Sequence, residues 1–198
     1  EWIPYNLMPE LYSLGKLTLG IGKFIEGFGS NSSIESLLCG TPVILSRVGA
    51  QRTTLPDKLI FKVDPHDIDQ VESYAYQILT NKTIPDLKLI REYIQERFSY
   101  QKMLENYERV LCEMETCPPL EFNLKSFDWN TIKFKLSSWF YISKKGVYND
   151  YQGKYECCDE FFYFIEHTQK FTLHEANSMG ISKEMIANEL DRGTLVYA

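Results

Sequence analysis

Three short, nearly continuous apolar runs lie in the first half of the chain, each bounded by glycine, proline or polar residues. Runs of about four to eight residues are typical of strands buried on both faces of a parallel sheet. The predicted strands are Lys16 to Ile21, Thr41 to Ser46 and Leu59 to Val63.

Between and after these runs, apolar residues recur at the spacing of amphipathic helices. The predicted helices are Met8 to Gly15, Ser32 to Cys39, Ile68 to Thr80, Asp86 to Arg97 and Tyr100 to Met114. One face of the third helix, which we expect to be buried, carries Ile68, Val71, Tyr74, Ala75 and Ile78. Strands that alternate with helices predict an α/β fold with a Rossmann-like parallel sheet over residues 1–116.

Two consecutive prolines, Pro118 and Pro119, end this pattern and predict a domain boundary. Residues 120–198 are richer in aromatic side chains. The elements predicted there are helices Cys158 to Thr168, Thr172 to Met179 and Ser182 to Leu190, and a strand Thr194 to Tyr197. Thr172 and Glu175 have the spacing of a capping box. We therefore expect a small, mostly helical, winged-helix-like module over residues 120–198.

Composition and charge narrow the classes of partner. Hydrophobic residues make up 44% of the 198, enough for a sizeable core, and the formal net charge is -6. Nucleic-acid-binding domains usually carry a basic stripe, and the helix predicted from Ser182 is acidic, which repels phosphate. We expect no nucleic-acid partner. Residues 120–198 are expected to contact a protein partner or to pack against the first domain.

The cysteines and the hydropathy indicate a compartment. The chain has five cysteines without the spacing of a metal site, so we interpret them as free thiols of a reducing compartment. No apolar stretch approaches the roughly 20 residues of a membrane span, and no leader sequence is recognisable. We expect a cytoplasmic protein, at most peripheral at the inner membrane face. We interpret the chain as a fragment because it begins with Glu1 rather than Met.

A loop after the first predicted strand combines glycines, hydroxyls and carboxylates and leads into a helix. Its candidate binding residues are Glu26, Gly27, Phe28, Gly29, Ser30, Asn31, Ser32, Ser33 and Glu35. Glycines let a backbone amide approach a ligand closely, and free amides at a helix start suit a diphosphate. Glu35, one turn into the helix, can accept hydrogen bonds from two vicinal hydroxyls, as on a ribose. Open parallel sheets bind ligands at this carboxyl end of their strands.

This stretch resembles the donor-binding signature of the retaining, glycogen-synthase-like group 1 glycosyltransferases, which have the two-lobed GT-B fold. The resemblance covers about residues 1–115. It includes the motifs EGFG from Glu26, ESLLCGTPVI from Glu35, SRVG from Ser46, FKVDPHD from Phe61 and FSY from Phe98. The resemblance implies that residues 1–116 are the C-terminal, nucleotide-sugar-binding half of such an enzyme.

The resemblance also implies an activity: transfer of a hexose, with retention, from a nucleoside diphosphate sugar to a glycan, lipid-linked or protein acceptor. Glu26 would be the catalytic residue that contacts the transferred sugar, and Glu35 would bind the ribose. The loop amides would face the sugar and the phosphates. The family needs no metal and no other cofactor. Its acceptor-binding N-terminal lobe is absent from this chain, so we expect the chain alone to be inactive.

The spacing departs from the family pattern. Eight residues, 27 to 34, separate Glu26 from Glu35, one more than in the family. Either the loop contains a bulge at Ser30 and Asn31, or Gly27 takes the first site and the sugar contact is lost.

Other features leave alternatives open. The Arg and Lys pair that neutralises the diphosphate in the family would precede residue 1, and Lys23 and Arg47 either replace it in part or are solvated surface charges.

The main alternative function is a non-catalytic, degenerate lobe that acts as a protein-interaction scaffold through residues 120–198. A weaker alternative is a transcriptional module that senses a sugar nucleotide. We interpret His66, His167 and His174 as structural or exposed.

Overall fold

A parallel three-stranded sheet organises the first part of the computed structural model, which describes residues 3–23, 31–83, 85–117, 128–156 and 159–198. The strands are β1 (Thr18–Gly20), β2 (Val43–Ser46) and β3 (Phe61–Val63), in the order β1-β2-β3. Thr18 pairs with Val43, and Ile44 pairs with Phe61. All four residues of the central strand β2 are buried, as its uninterrupted apolar run predicts.

Every helix that the sequence predicts in this part is present. The helical elements are a 3₁₀ turn (Tyr5–Leu7), α1 (Met8–Leu14), α2 (Asn31–Leu38), α3 (Gln51–Thr54), α4 (Ile68–Leu79), α5 (Leu87–Phe98) and α6 (Tyr100–Thr116). The side chains of Asp67, Asp86 and Ser99 cap α4, α5 and α6 by accepting a hydrogen bond from a first-turn amide. The 3₁₀ turn and α3 were not predicted, because a single turn has no measurable periodicity.

Helices cover both faces of the sheet. Val43 and Leu45 of β2 belong to one apolar cluster, which includes Leu37 of α2 and Ile90 of α5. Ile44 points to the opposite face, in a cluster with residues of α4. This alternation is the period of a strand, and it confirms the α/β fold with a doubly covered parallel sheet.

The predicted inner face of α4 needs one correction. Val71, Tyr74 and Ala75 pack against the cluster that contains Ile78. Ile68 is 76% exposed. It is the first residue of the helix, directly after the cap Asp67, and it is not among the residues that pack on this face of the sheet.

The long helix α6 differs from the others in its burial. None of its 17 residues is buried. Its exposed apolar side chains are Tyr100, Met103, Leu104, Tyr107, Val110, Leu111 and Met114. These residues recur every three or four positions, so one face of α6 is an uncovered apolar stripe.

The chain separates into two compact units, residues 1–22 with 26–123, and residues 23–25 with 124–198. The elements of the second unit are β4 (Lys133–Leu136), β5 (Phe140–Ser143), β6 (Gly146–Asn149), β7 (Lys154–Glu156), α7 (Glu160–Thr168), β8 (Lys170–Thr172), α8 (Leu173–Ser178), α9 (Lys183–Asp191) and β9 (Leu195–Tyr197). They form two antiparallel sheets, β8-β4-β9 and β5-β6-β7. The predicted helices, the terminal strand and the capping box of Thr172 and Glu175 are present, and β4 to β8 are additional.

Aromatic side chains form much of the core of the second unit. Phe134, Phe161 and Phe171 are buried in one cluster with Ile186 and Leu195. The aromatic residues of this unit therefore serve to pack its core.

Among the described residues, no helix is long and apolar enough to cross a membrane.

Candidate functional site

The predicted binding residues fall into two groups. Glu26, Gly27, Phe28, Gly29 and Ser30 lie outside the described residues. The others lie on the first part of α2: Asn31 and Ser32 are exposed, Ser33 is buried and Glu35 is partly buried.

The position of α2 is fixed by its contacts with the sheet. Ser33, Ser36 and Leu37 are each 0% exposed and form the inner face of the helix. The hydroxyl of Ser36 lies 2.8 Å from that of Thr18 on β1, and it donates to the backbone carbonyl of Thr41 at 3.3 Å. These polar contacts, together with Leu37, hold the second half of α2 beside the amino end of β1.

Gly20, the last residue of β1, permits an unusually close approach of the helix. A Cβ atom at this position would lie 2.7 Å from Ser33 Oγ and 2.5 Å from Leu45 Cδ2. Ser33 therefore packs between α2 and the sheet, and this burial is at odds with the predicted role of its hydroxyl in ligand binding. Asn31 and Ser32 remain at the exposed start of the helix.

The exit from β1 is held at the end of the neighbouring strand. The amide of Gly22 donates to Ser46 Oγ at 2.8 Å, and the Ser46 hydroxyl donates to Gln51 Oε1 at 3.3 Å. The carboxyl ends of β1 and β2 thus meet at one edge of the sheet, the edge at which parallel sheets bind ligands.

Glu35 lies on the opposite side of α2 from Ser33, and its carboxylate has two tyrosine partners. Tyr12 donates its hydroxyl hydrogen to Oε2 at 3.2 Å, and Tyr5 donates to Oε1 at 3.3 Å. Partial burial, and then the hydrogen bond to Glu35 and its negative charge, raise the pKa of Tyr12. The Tyr12 hydroxyl is therefore protonated, and a donor, throughout the physiological pH range.

Two cavities adjoin this carboxylate. The larger, of about 660 Å³, is lined by Asn31, Ile34, Glu35, Thr54, Arg97, Phe98, Met103, Asn106, Tyr107 and Val110. The smaller, of about 230 Å³, is lined by Tyr5, Met8, Pro9, Tyr12, Glu35, Leu38 and Cys39. Glu35 lines both, so its carboxylate stands between an apolar pocket with two tyrosines and a wider groove at the start of α2.

The sequence did not reveal the two tyrosines as site residues. Tyr5 and Tyr12 precede Glu35 by 30 and 23 residues. Only the packing of the 3₁₀ turn and α1 beside α2 brings them together, and no local motif encodes that packing.

The two candidate cations, Arg47 and Lys23, differ in their surroundings. Arg47 Nη1 lies 2.7 Å from Asp57 and Arg47 Nε lies 3.6 Å from Asp64, so two carboxylates balance its charge. Lys23 is exposed and belongs to the second unit. The expectation that Arg47 substitutes for a phosphate-neutralising pair is weakened by these ion pairs.

The remaining candidate residues are the histidines and the cysteines. His66, His167 and His174 are exposed, as expected. Within the described ranges, no three histidine, cysteine or acidic side chains are grouped as a metal site would require. Cys39, Cys112 and Cys117 are free thiols, whereas Cys157 and Cys158 lie outside the described residues.

Comparison with known proteins gives a partial likeness to solved structures. No family model and no curated protein matches the chain. It is similar to the crystal structure of Anabaena HepE in complex with UDP-glucose, with a TM-score of 0.48 and 18% identity over 54% of this chain. For HepE in complex with UDP and glucose, the TM-score is 0.49 and the identity 19% over 54% of this chain. The matched part spans 30% and 29% of those chains, less than a third of their length.

Proposed function

We propose that the first unit binds a nucleoside diphosphate sugar at the carboxyl end of β1, as the donor-binding half of a retaining glycosyltransferase. The observation that carries this proposal is the position of Glu35. Its carboxylate lies on the first turns of the helix that follows β1, and it borders two adjoining cavities.

A carboxylate in this position is suited to a ribose. Each of its oxygens has two lone pairs. Tyr5 and Tyr12 each use one lone pair on a different oxygen. At least one lone pair on each oxygen is therefore available to the vicinal 2′ and 3′ hydroxyls. A bidentate bond to an ionised acceptor is stronger than a bond between neutral groups.

The start of α2 supports a place for the diphosphate. A helix start has amides without intrahelical partners and a positive dipole end. The first turn of α2 has no acidic residue that would repel an anion, and Asn31 and Ser32 are exposed there. We propose that the diphosphate lies at this end of the helix, with the ribose on Glu35.

The proposed reaction breaks the bond between the anomeric carbon of the sugar and the diphosphate oxygen. The bonding electron pair leaves with the diphosphate. An acceptor hydroxyl oxygen forms the new bond on the same face of the sugar, and its proton passes to the departing diphosphate oxygen. Stabilising the charge of the departing diphosphate needs donors already directed at it, which helix amides provide without a metal. In this proposal Glu26 contacts the transferred sugar, and the acceptor is a glycan, a lipid-linked sugar or a protein.

Calorimetric titration of the full-length protein with UDP, GDP and ADP tests the proposal. Glu35→Ala should weaken binding of the preferred nucleotide about a hundredfold or more, because two hydrogen bonds to a charged acceptor are lost. Glu72→Ala is the matched control: Glu72 is an exposed residue of α4, which packs on the other face of the sheet. Its replacement changes the net charge equally and should leave affinity unchanged.

Two results would count against the assignment. If the wild-type protein bound none of the three nucleotides, the donor site would not exist. A stable protein complex formed through residues 120–198 would then favour the scaffold function. If Glu35→Ala bound nucleotide as tightly as the wild type, the ligand would not use this carboxylate.

A further inference from the structure

The two tyrosines that contact Glu35 differ in burial and in how their backbone is anchored. The backbone carbonyl of Tyr12 accepts a hydrogen bond from Thr41 Oγ1 at 2.5 Å, and the Tyr12 side chain is partly buried. Tyr5 lies on the 3₁₀ turn, which has no buried residue, and it is 79% exposed. One donor to the carboxylate is therefore anchored next to α2, and the other is surrounded by solvent.

We propose that Tyr12 is a positioning residue that orients the Glu35 carboxylate for a ribose, and that Tyr5 is an exchangeable donor whose place a ribose hydroxyl takes. This inference rests on the proposed function. It assigns roles to Tyr5 and Tyr12 that the loop motif does not contain.

The need for a positioning residue follows from the flexibility of glutamate. A glutamate side chain on a helix surface has three rotatable bonds, and fixing it costs conformational entropy. Bidentate binding of a vicinal diol requires the plane of the carboxylate to be set before the ligand arrives. The side chain of Tyr12 is partly buried, and its hydroxyl lies 3.2 Å from Glu35 Oε2. This hydrogen bond fixes the position of one carboxylate oxygen.

The exchangeable role of Tyr5 follows from its exposure. In the free protein its hydroxyl can trade Glu35 Oε1 for water at little cost, because net hydrogen-bond energies in solvent are small. A ribose hydroxyl can therefore replace it without leaving an unpaired buried donor. Tyr12 has less access to water, so displacing it would leave its hydroxyl poorly hydrated.

The test compares Tyr12→Phe and Tyr5→Phe with two ligands, UDP and its 2′,3′-dideoxy analogue. Both variants keep the ring and remove only the hydroxyl. Tyr12→Phe should weaken UDP binding about threefold to tenfold, because the Glu35 side chain then loses its conformational freedom only on binding. It should not change binding of the dideoxy analogue, which has no hydroxyls for Glu35. Tyr5→Phe should leave UDP affinity within about twofold of the wild type.

A double variant separates positioning from direct contact. In the background of Glu35→Ala, Tyr12→Phe should cause no further loss of UDP affinity, because Tyr12 acts through the carboxylate. A further loss of threefold or more there would overturn the inference. Equal weakening of UDP and the dideoxy analogue by Tyr12→Phe would also overturn it, since the hydroxyl would then act on the base or the cavity wall.

The outcomes distinguish this inference from the proposed function. If the wild type binds UDP and Glu35→Ala weakens that binding, but Tyr12→Phe has no effect, the donor site stands and the positioning role is refuted. If the wild type binds no nucleotide, both fail. Thermal unfolding of each variant shows whether it is folded, and a wild-type midpoint is expected because both hydroxyls are at least partly accessible.

Discussion

Gly20→Ala tests whether the close contact between β1 and α2 fixes the site. Gly20 does not have a positive φ, so alanine is compatible with its backbone. The added methyl would meet Leu45 Cδ2 at 2.5 Å and Ser33 Oγ at 2.7 Å. Nonbonded carbon atoms pack at about 3.5 to 4.0 Å, so both neighbours, or the strand itself, have to shift by up to about 1 Å.

The burial of the neighbouring side chains sets limits on the stability cost of the added methyl. Leu45 is 3% exposed and Ser33 is 0% exposed, so neither side chain has free space to rotate into. Overpacking of this kind costs about 1 to 3 kcal/mol, and the reduced freedom of the unfolded chain returns about 0.4 to 1 kcal/mol. We expect a net loss of about 1 to 2 kcal/mol in the free energy of unfolding, and weaker nucleotide binding because α2 carries Glu35.

Urea unfolding followed by far-UV circular dichroism measures the stability change. Added UDP stabilises the unit that binds it, so the transition that UDP shifts identifies the first unit. Trp129 and Trp139 belong to the second unit, whereas Trp2 belongs to the first. In a Trp2→Phe background, the fluorescence transition should therefore be the same with and without Gly20→Ala.

Gly15→Ala is the matched control for this substitution. Its Cβ would lie no closer than 3.2 Å to another atom, the carbonyl oxygen of Tyr12, so its cost should stay below about 1 kcal/mol. If Gly20→Ala were as stable as the wild type and bound nucleotide equally well, the close packing would not fix α2, and the reasoning would be refuted.

Two further predictions concern buried polar groups, and both are measured by urea unfolding. The Lys62 side chain is 1% exposed and ion-paired with Asp57, and burial lowers its pKa despite that partner. Lys62→Met removes the desolvation cost but also the hydrogen bond to the Arg52 carbonyl, while Asp57 is 56% exposed and keeps Arg47 as a partner. The free energy of unfolding should therefore fall by no more than about 2 kcal/mol, and a larger loss would contradict this. Burial raises the pKa of Tyr148 to about 12, and its neutral hydroxyl donates to the Lys23 carbonyl. Tyr148→Phe should cost about 1 kcal/mol at pH 8, and this difference should vanish as the pH rises from about 10 to about 12, where the wild-type tyrosine ionises. A difference that persisted at the higher pH would contradict it.

Much of the first unit could be predicted because its signals are local. The apolar run of β2 is buried at every residue. Asp67 and Asp86 cap their helices as short acidic side chains do. The position of Glu35 one turn into α2 follows from the loop and helix pattern alone. The exposed position of Ile68 could not be predicted, because periodicity assigns a face without saying where the helix begins to contact the sheet.

The second unit was less predictable for a physical reason. Its strands are three or four residues long, too short for a clear alternation of apolar and polar side chains. The turn between β5 and β6 contains Lys144 and Lys145 rather than the Asn-Gly or Asp-Gly pair that marks a hairpin. The partnership of Tyr5 and Tyr12 with Glu35 was likewise invisible, since it depends on two helices meeting in space.

The uncovered stripe of α6 has a consequence for the larger cavity. Met103, Tyr107 and Val110 of this helix form one wall, and Glu35 of α2 is on another. The α2 wall is tied to the sheet by fully buried side chains, whereas α6 has none. A groove with one stiff side and one compliant side can adjust its width at little energetic expense. If the proposed nucleotide site is correct, ligands of different bulk should therefore fit beside the same carboxylate without disturbing the strands.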